Sequence, residues 1–224
     1  MRAVPDIPIL HQDDHVVAVN KPSGLLVHRS AESRDRVFLL QTVARLIGQH
    51  LYPAHRIDRA ASGVVLLGMN PEDARWLQPA LKEATKEYLV LVRGDPPDEF
   101  ESDRPLGDEK KIKREAHSSF VVEERFLRTT LLRVRISTGR RHQIRRHLAH
   151  LAFQILGDTT YGKGRLNQEF RDRYDLHRLF LHAARVRIYH EPEERELDVA
   201  APLAPELEAV LARLRAERDD RDGA

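Results

Sequence analysis

The chain has 224 residues, with 37 lysines and arginines against 35 acids and 41% hydrophobic residues, enough to bury a sizeable core in one large or two small domains. It contains no cysteine, which excludes disulfide frameworks, thiolate metal sites and thiol nucleophiles, so any covalent catalysis must use oxygen, nitrogen or a carboxylate. A formal charge of +2 does not by itself mark a nucleic-acid binder, and no apolar run approaches the roughly 18 residues that suggest a membrane span.

The opening Met1-Arg2-Ala3-Val4-Pro5-Asp6 lacks the apolar centre of a signal peptide, so the expected compartment is the cytoplasm, with no membrane partner. A first strand is expected near Ile9. Val16 to Asn20 is a short apolar run, Pro22-Ser23-Gly24 makes a turn, and Leu25-Leu26-Val27 resumes extended structure. Val37, Leu40, Val43, Ala44 and Ile47 recur at helical spacing until Gly48 stops them. Val64-Val65-Leu66-Leu67 reads as a buried strand. Asn70 is placed to cap a helix that opens with Pro71 and carries Trp76, Leu77, Ala80 and Leu81.

Tyr88 to Val92 is a further strand, closed by Gly94, and the polar stretch from Asp95 to about His117 reads as a connecting excursion. Ser119 to Glu123 and Thr129 to Ile136 form a hairpin pattern, the second strand alternating apolar and basic residues. A helix starting near Arg141 puts Ile144, Leu148 and Leu151 on one face, Arg145 at its edge and Arg146 well away from it. Leu179 to Tyr189 adds more strand. A helix from about Pro205 to Glu217 closes a core spanning about 9–217, with fraying expected from Arg218. No repeat or domain boundary is visible, so a single domain over 1–224 is expected.

Two stretches carry chemistry. His55-Arg56-Ile57-Asp58, followed by Arg59-Ala60-Ala61-Ser62-Gly63, sets one carboxylate in a basic frame before a turn. A free aspartate, with a pKa of about 3.9, is ionised at neutral pH and needs no base to act as a nucleophile, but enclosing it requires a nearby cation or donors. Between Arg133 and His147 there are six arginines and no acid. An arginine stays charged and offers a fixed donor fork, which suits it to hold a carboxylate ionised or to bind phosphate. Alternative readings fail on spacing. The kinase His-Arg-Asp element lacks Ile57 and needs asparagine where Gly63 stands, and Gly162-Lys163-Gly164 is not a phosphate loop. His142, His147 and His150 have no flanking carboxylate, so no metal site is expected there.

The stretches Asn20-Lys21-Pro22-Ser23-Gly24-Leu25-Leu26-Val27-His28, His55-Arg56-Ile57-Asp58 with Ser62-Gly63, Lys86-Glu87-Tyr88, Thr138-Gly139-Arg140-Arg141-His142-Gln143-Ile144-Arg145-Arg146-His147-Leu148, Gly157-Asp158 with Tyr161-Gly162, and Leu181-His182-Ala183 occur in one order. In that order the chain strongly resembles the RluA family of pseudouridine synthases. The resemblance implies an α+β catalytic fold on a long mixed, largely antiparallel sheet flanked by helices and loops. It also implies conversion of a uridine in RNA to pseudouridine without cofactor or metal. Asp58 matches the family's catalytic aspartate, Arg145 the basic residue that pairs with it, and Tyr88 the tyrosine that packs on the base and takes part in proton transfer. Arg56 matches the arginine that helps displace the flipped nucleotide. Lys21, His28, Arg140, Arg141 and Arg146 are expected to meet RNA. An N-terminal S4 RNA-binding domain is not expected. The short form and Leu26-Val27-His28-Arg29-Ser30 resemble members that modify position 65 of tRNA, making tRNA the expected partner of a monomer. Ribosomal RNA, or both RNAs, is the alternative substrate, and a non-catalytic RNA binder or RNA chaperone of the same fold is the competing class. Ala61, where the family usually has threonine, and a short stretch after Gly94 depart from the pattern.

Overall fold

The computed structural model describes residues 6–29, 33 and 35–222. Ser30 of the Leu26–Ser30 motif and the first five residues, which entered the signal-peptide argument, lie outside the described residues. In chain order the elements begin with β1 (Ile9–Gln12), β2 (Val16–Lys21), α1 (Leu39–Ile47), β3 (Tyr52–Pro53), β4 (Ser62–Gly68), α2 (Pro71–Glu83) and β5 (Thr85–Arg93). They continue with β6 (Glu99–Ser102), β7 (Leu106–Gly107), β8 (Lys113–Arg114), β9 (Ser118–Arg125) and β10 (Thr129–Ile136). The remainder are α3 (Gln143–His150), α4 (Gly164–Tyr174), β11 (Leu181–His190), β12 (Arg195–Ala200) and α5 (Pro205–Asp222). The chain groups into two compact units, Met1–Lys86 with Ala183–Pro202, and Glu87–His182 with Leu203–Ala224.

In the first unit β1, β2 and β4 run side by side in antiparallel ladders, β3 pairs with β4, and β11 follows β4 and pairs with β12. Alternate residues of these strands, Val16, Ala18, Val64, Leu66, Val186, Ile188, Leu197 and Val199, pack with Leu77, Leu81 and Ala84 from α2 and the stretch after it. That is the period-two face of a sheet meeting a helix stripe. The opposite residues Val17, Val19, Val65 and Leu67 are buried as well, which explains why β2 and β4 read as continuous apolar runs. Asn70 caps α2 as expected, its side-chain oxygen accepting from Glu72 N and Asp73 N at 2.9 Å each.

In the second unit the order is β5, β10, β9, β6, with antiparallel β9–β10 and β6–β9 ladders. The excursion after Gly94 contains β6 and a separate β7–β8 hairpin.

Several expectations shift. Leu25–Val27 is not a strand, and only an isolated parallel bridge links Leu26 to Phe38. Helix α1 begins at Leu39 and buries Leu39, Thr42 and Val43, while Val37 is exposed. Helix α3 begins at Gln143, because His142 takes a left-handed φ of 53° ahead of it. Neither α4 nor β12 was expected, and α5 runs past Glu217 to Asp222. No described helix is long and apolar enough to cross a membrane.

Candidate active site

In the first unit the loop between β3 and β4 carries His55 to Ala60, and the end of β2 holds it. Lys21 is fully buried, and its Nζ donates to the carbonyl oxygens of Pro22 at 2.9 Å, Leu25 at 2.8 Å and Arg59 at 3.3 Å. Ser23 Oγ donates to Ala60 O at 2.8 Å, Gly24 N to Arg59 O at 2.8 Å, and Arg59 Nε back to Gly24 O at 3.0 Å. Lys21 was expected to meet RNA. Instead its ammonium group lies beneath the loop and fixes it, because a buried cation must spend its donors on nearby oxygens.

The other anchor is His55, whose Nε2 accepts from Leu66 N at 2.9 Å on β4. Burial, reinforced by the charge of Lys86, pushes its pKa down to about 4, so the ring stays neutral and keeps an acceptor for that N–H. Ile57 is buried, Asp58 half-buried and Arg56 exposed. Ala61 N donates to Asp58 O at 3.1 Å and closes the turn. Gly63 then adopts φ +113°, and a Cβ there would lie 2.1 Å from Ala183 O, so only glycine fits. His28 sits near Arg56. Its pKa is lowered by burial and by the Arg56 charge, and its Nδ1 has no hydrogen-bond partner among the described residues.

In the second unit Tyr88 is half-buried on β5 beside Glu87, which is buried. Glu87 bonds Arg135 Nε at 2.9 Å and Arg133 Nη1 at 3.3 Å. Burial alone would raise its pKa, but those arginines hold it below the usual carboxylate value. Arg133 also bonds Glu123 at 2.5 Å. Two arginines of the acid-free run are therefore committed to carboxylates within the unit.

Arg145, expected at the edge of its helix face, is buried on α3. Its Nε and Nη2 donate to Asp158 at 2.8 and 2.9 Å in a bidentate pair. Asp158 also accepts from Thr160 N at 2.8 Å and Tyr161 N at 3.0 Å. Burial would raise its pKa, but Arg145 and these N–H groups hold it below the ordinary value. The Arg145 guanidinium lies 5.1 Å from the centre of the Tyr161 ring. Gly157-Asp158 is marked in the sequence by the family order alone, and nothing local in the sequence pairs Asp158 with a residue 13 positions earlier.

The remaining arginines face outward. Arg140 and Arg141 are exposed and Arg146 is half-buried. Arg140 Nε donates to Glu115 O at 2.9 Å, Arg141 lies 3.4 Å from Glu109, and Arg146 Nη1 donates to Gly107 O at 3.1 Å. Gln143 ties the start of α3 to its surroundings, accepting from Thr138 Oγ1 and Arg140 N and donating to His117 O. A cleft of about 510 Å³ opens beside α3 and the β7–β8 hairpin, lined by Arg104, Lys111, Lys113, Arg146 and Tyr161 with one acid, Asp108. This surface suits an anionic polymer.

His142, His147 and His150 are engaged by Tyr161, by Ser118 and Arg104 O, and by Arg104 respectively. Asp13, His190 and Glu193 of the first unit bring donor atoms within 4.8 Å of one another. Arg195 already bonds Glu193 and lies 3.6 Å from Asp13, so that cluster has a cation of its own.

A profile of the RNA pseudouridylate synthase family matches residues 15–150. The chain is 38% identical to tRNA pseudouridine synthase C of Vibrio vulnificus (strain CMCP6), over 87% of this chain and 90% of that protein. It is 39% identical to tRNA pseudouridine synthase C of Salmonella typhimurium (strain LT2), over 88% and 85%. Human RNA Pseudouridylate Synthase Domain Containing 4 shares the fold, with a TM-score of 0.76 at 24% identity and 92% coverage of both chains.

Proposed function

We propose that this chain, which belongs to the RNA pseudouridylate synthase family, isomerises uridine 65 of tRNA. That the chain is an RNA pseudouridine synthase follows from the family. The choice of tRNA rests on one observation: relatives named tRNA pseudouridine synthase C align at 38–39% identity over nearly nine-tenths of the chain. The reaction breaks the bond from N1 to the sugar and joins C5 to the same sugar carbon. C5 loses its hydrogen and N1 gains one, so substrate and product are isomers.

In this reading Asp58 is the carboxylate that acts at the sugar, and Arg145 is its counter-charge. Tyr88 supports the base and moves a proton. Arg56 takes the place of the displaced nucleotide, since a base must leave its stack before a side chain can reach its sugar. The loop supports this assignment: it is held from below by Lys21 and from behind by His55, leaving Arg56 and Asp58 on its more exposed side. Preorganisation of that kind is what a reacting group requires. His28, Arg140, Arg141 and Arg146 hold RNA. We further propose that residues 1–224 act as one catalytic domain, since the family profile runs through residues of both units. The enzyme works as a cytoplasmic monomer and needs no metal or cofactor.

The test maps pseudouridines in total RNA from cells with and without the gene. Loss at uridine 65 of tRNA alone supports the proposal, and loss confined to ribosomal RNA refutes the choice of substrate. An unchanged map favours the non-catalytic RNA binder.

A further inference from the structure

In the second unit most arginines are spent on acids. Arg125 bonds Asp95 and Asp98, Arg178 bonds Glu206, and Arg215 and Arg218 both bond Glu124. Besides the cleft beside α3, a second open groove breaks the pattern. It measures about 650 Å³, and its lining includes Arg93, Arg128, Lys163 and Arg165 with a single acid, Glu169. Glu169 is engaged by Arg128 at 3.0 Å and by Arg173 at 3.6 Å. Among the described residues no ion pair or side-chain hydrogen bond engages Arg93, Lys163 or Arg165.

Backbone structure holds these cations in place. Arg93 ends β5, where its N–H donates to Gln154 O at 3.0 Å. Gly94, in a left-handed turn at φ +85°, donates to Arg128 O at 2.8 Å, and Thr130 Oγ1 returns a bond to Gly94 O at 2.9 Å. The turn carrying Arg128 is thus locked to the end of β5. Lys163 and Arg165 flank the start of α4, whose first turn has no acid and no side-chain cap, so the positive end of the helix adds to the same field. Holding like charges together unpaired costs stability through mutual repulsion. An incoming polyanion offsets that cost.

We infer that this groove is a second RNA site, apart from the cleft beside α3, which grips the sugar-phosphate backbone of the substrate RNA at a distance from the target uridine. The inference rests on the reading of the chain as an RNA-acting enzyme. An RNA strand fits better than a small anion for two reasons. Arg93, Lys163 and Arg165 together carry more positive charge than one phosphate neutralises. Arg128 and Glu169 also line an adjoining cavity of about 230 Å³ with Phe126, Leu127 and Phe170, an apolar surface against which a base or ribose can lie.

The test uses the full chain and an in vitro transcribed full-length tRNA. Lys163→Glu/Arg165→Glu is compared with Arg75→Glu/Lys82→Glu, which makes the same charge change on exposed positions of α2. The groove variant is expected to lose at least about tenfold in affinity and to flatten the slope of log Kd against log salt by about two, one for each phosphate contact removed. KM for tRNA rises while kcat at saturation holds. A stem-loop carrying only the target uridine and its immediate neighbours binds wild type and variant alike. Independently of any substitution, tRNA protects Lys163 of the wild-type protein from acetylation, and inorganic phosphate at millimolar concentration does not.

Equal losses in the two double variants, or acetylation of Lys163 undiminished by tRNA, overturn the inference. Protection by phosphate alone makes the groove a small-anion site and overturns it as well. If tRNA binds and protects Lys163 but no uridine is converted, the groove stands and the proposed activity fails.

Discussion

Asp158→Asn isolates the charge that holds Arg145. Asparagine keeps an oxygen for Thr160 N and Tyr161 N, which bond Asp158 Oδ1 at 2.8 and 3.0 Å, but it removes the anion facing a guanidinium that is only 7% exposed. Taking one partner from a buried, hydrogen-bonded pair costs about 3–5 kcal/mol. The bond from Arg145 Nε to Oδ2 is lost, and the bond from Nη2 to Oδ1 keeps only a neutral acceptor. In a domain of this size each kcal/mol moves Tm by about 2–4 °C, so a fall of about 6–20 °C is expected. The assay is thermal unfolding of wild type, Asp158→Asn, Arg145→Met and the double variant, with RNA-modifying activity measured at a temperature where all are folded. The double variant should be less destabilised than the sum of the singles, because the two side chains share one pair of hydrogen bonds that can be lost only once. Activity of Asp158→Asn should fall with Arg145 no longer fixed by its fork. A Tm within about 2 °C of wild type, or strict additivity in the cycle, refutes the account of Arg145 as a charge anchored by Asp158.

His55 gives stability a pH dependence. Its folded pKa of about 4 lies below the ordinary value of about 6.5, so between those pH values the unfolded chain takes up a proton that the folded chain refuses; stability is therefore full above about pH 6.5 and falls by up to about 3 kcal/mol as pH drops toward 4. Urea unfolding at pH 7 and 4.5 should show a shallower pH dependence in His55→Gln, and an identical slope in both proteins would rule His55 out as its source. Gly63→Ala forces a Cβ to 2.1 Å from Ala183 O at a left-handed φ, and is expected to cost at least about 3 kcal/mol; a variant as stable as wild type by urea midpoint would contradict that geometry. Tyr88→Phe keeps the ring and loses the hydroxyl, so tRNA affinity should hold while turnover falls by about a hundredfold or more; full turnover leaves Tyr88 a stacking role only.

The strands buried on both faces, β2 and β4, are plain in the sequence because Val16–Val19 and Val64–Leu67 run without a polar residue, and α2 shows itself through Asn70, Pro71 and an apolar stripe. Helix α1 was misphased because a polar residue took a core place. Thr42 is buried and satisfied by its own Oγ1 bond to Phe38 O at 2.8 Å, while Val37 lies in solvent. Helix α4 is hidden in the sequence for a related reason. One of its buried residues, Asn167, accepts from Gly157 N and donates to Asp158 O, so its inward face is partly polar and carries little hydrophobic signal. At the site, Asp58 stood out through its local frame. Asp158 and the clamp by Lys21 did not, since each depends on which distant backbone or side chain the fold brings near, and residue spacing does not encode that.

The most direct test of the central claim, that Asp58 drives isomerisation of a uridine in RNA, is single-turnover release of tritium from tRNA labelled at uridine C5, because C5 must lose its hydrogen when it bonds to the sugar. Wild-type protein is expected to release tritium in step with pseudouridine formation, and folded Asp58→Asn, which binds the same tRNA, is expected to release none. Wild-type-like release from Asp58→Asn contradicts the claim.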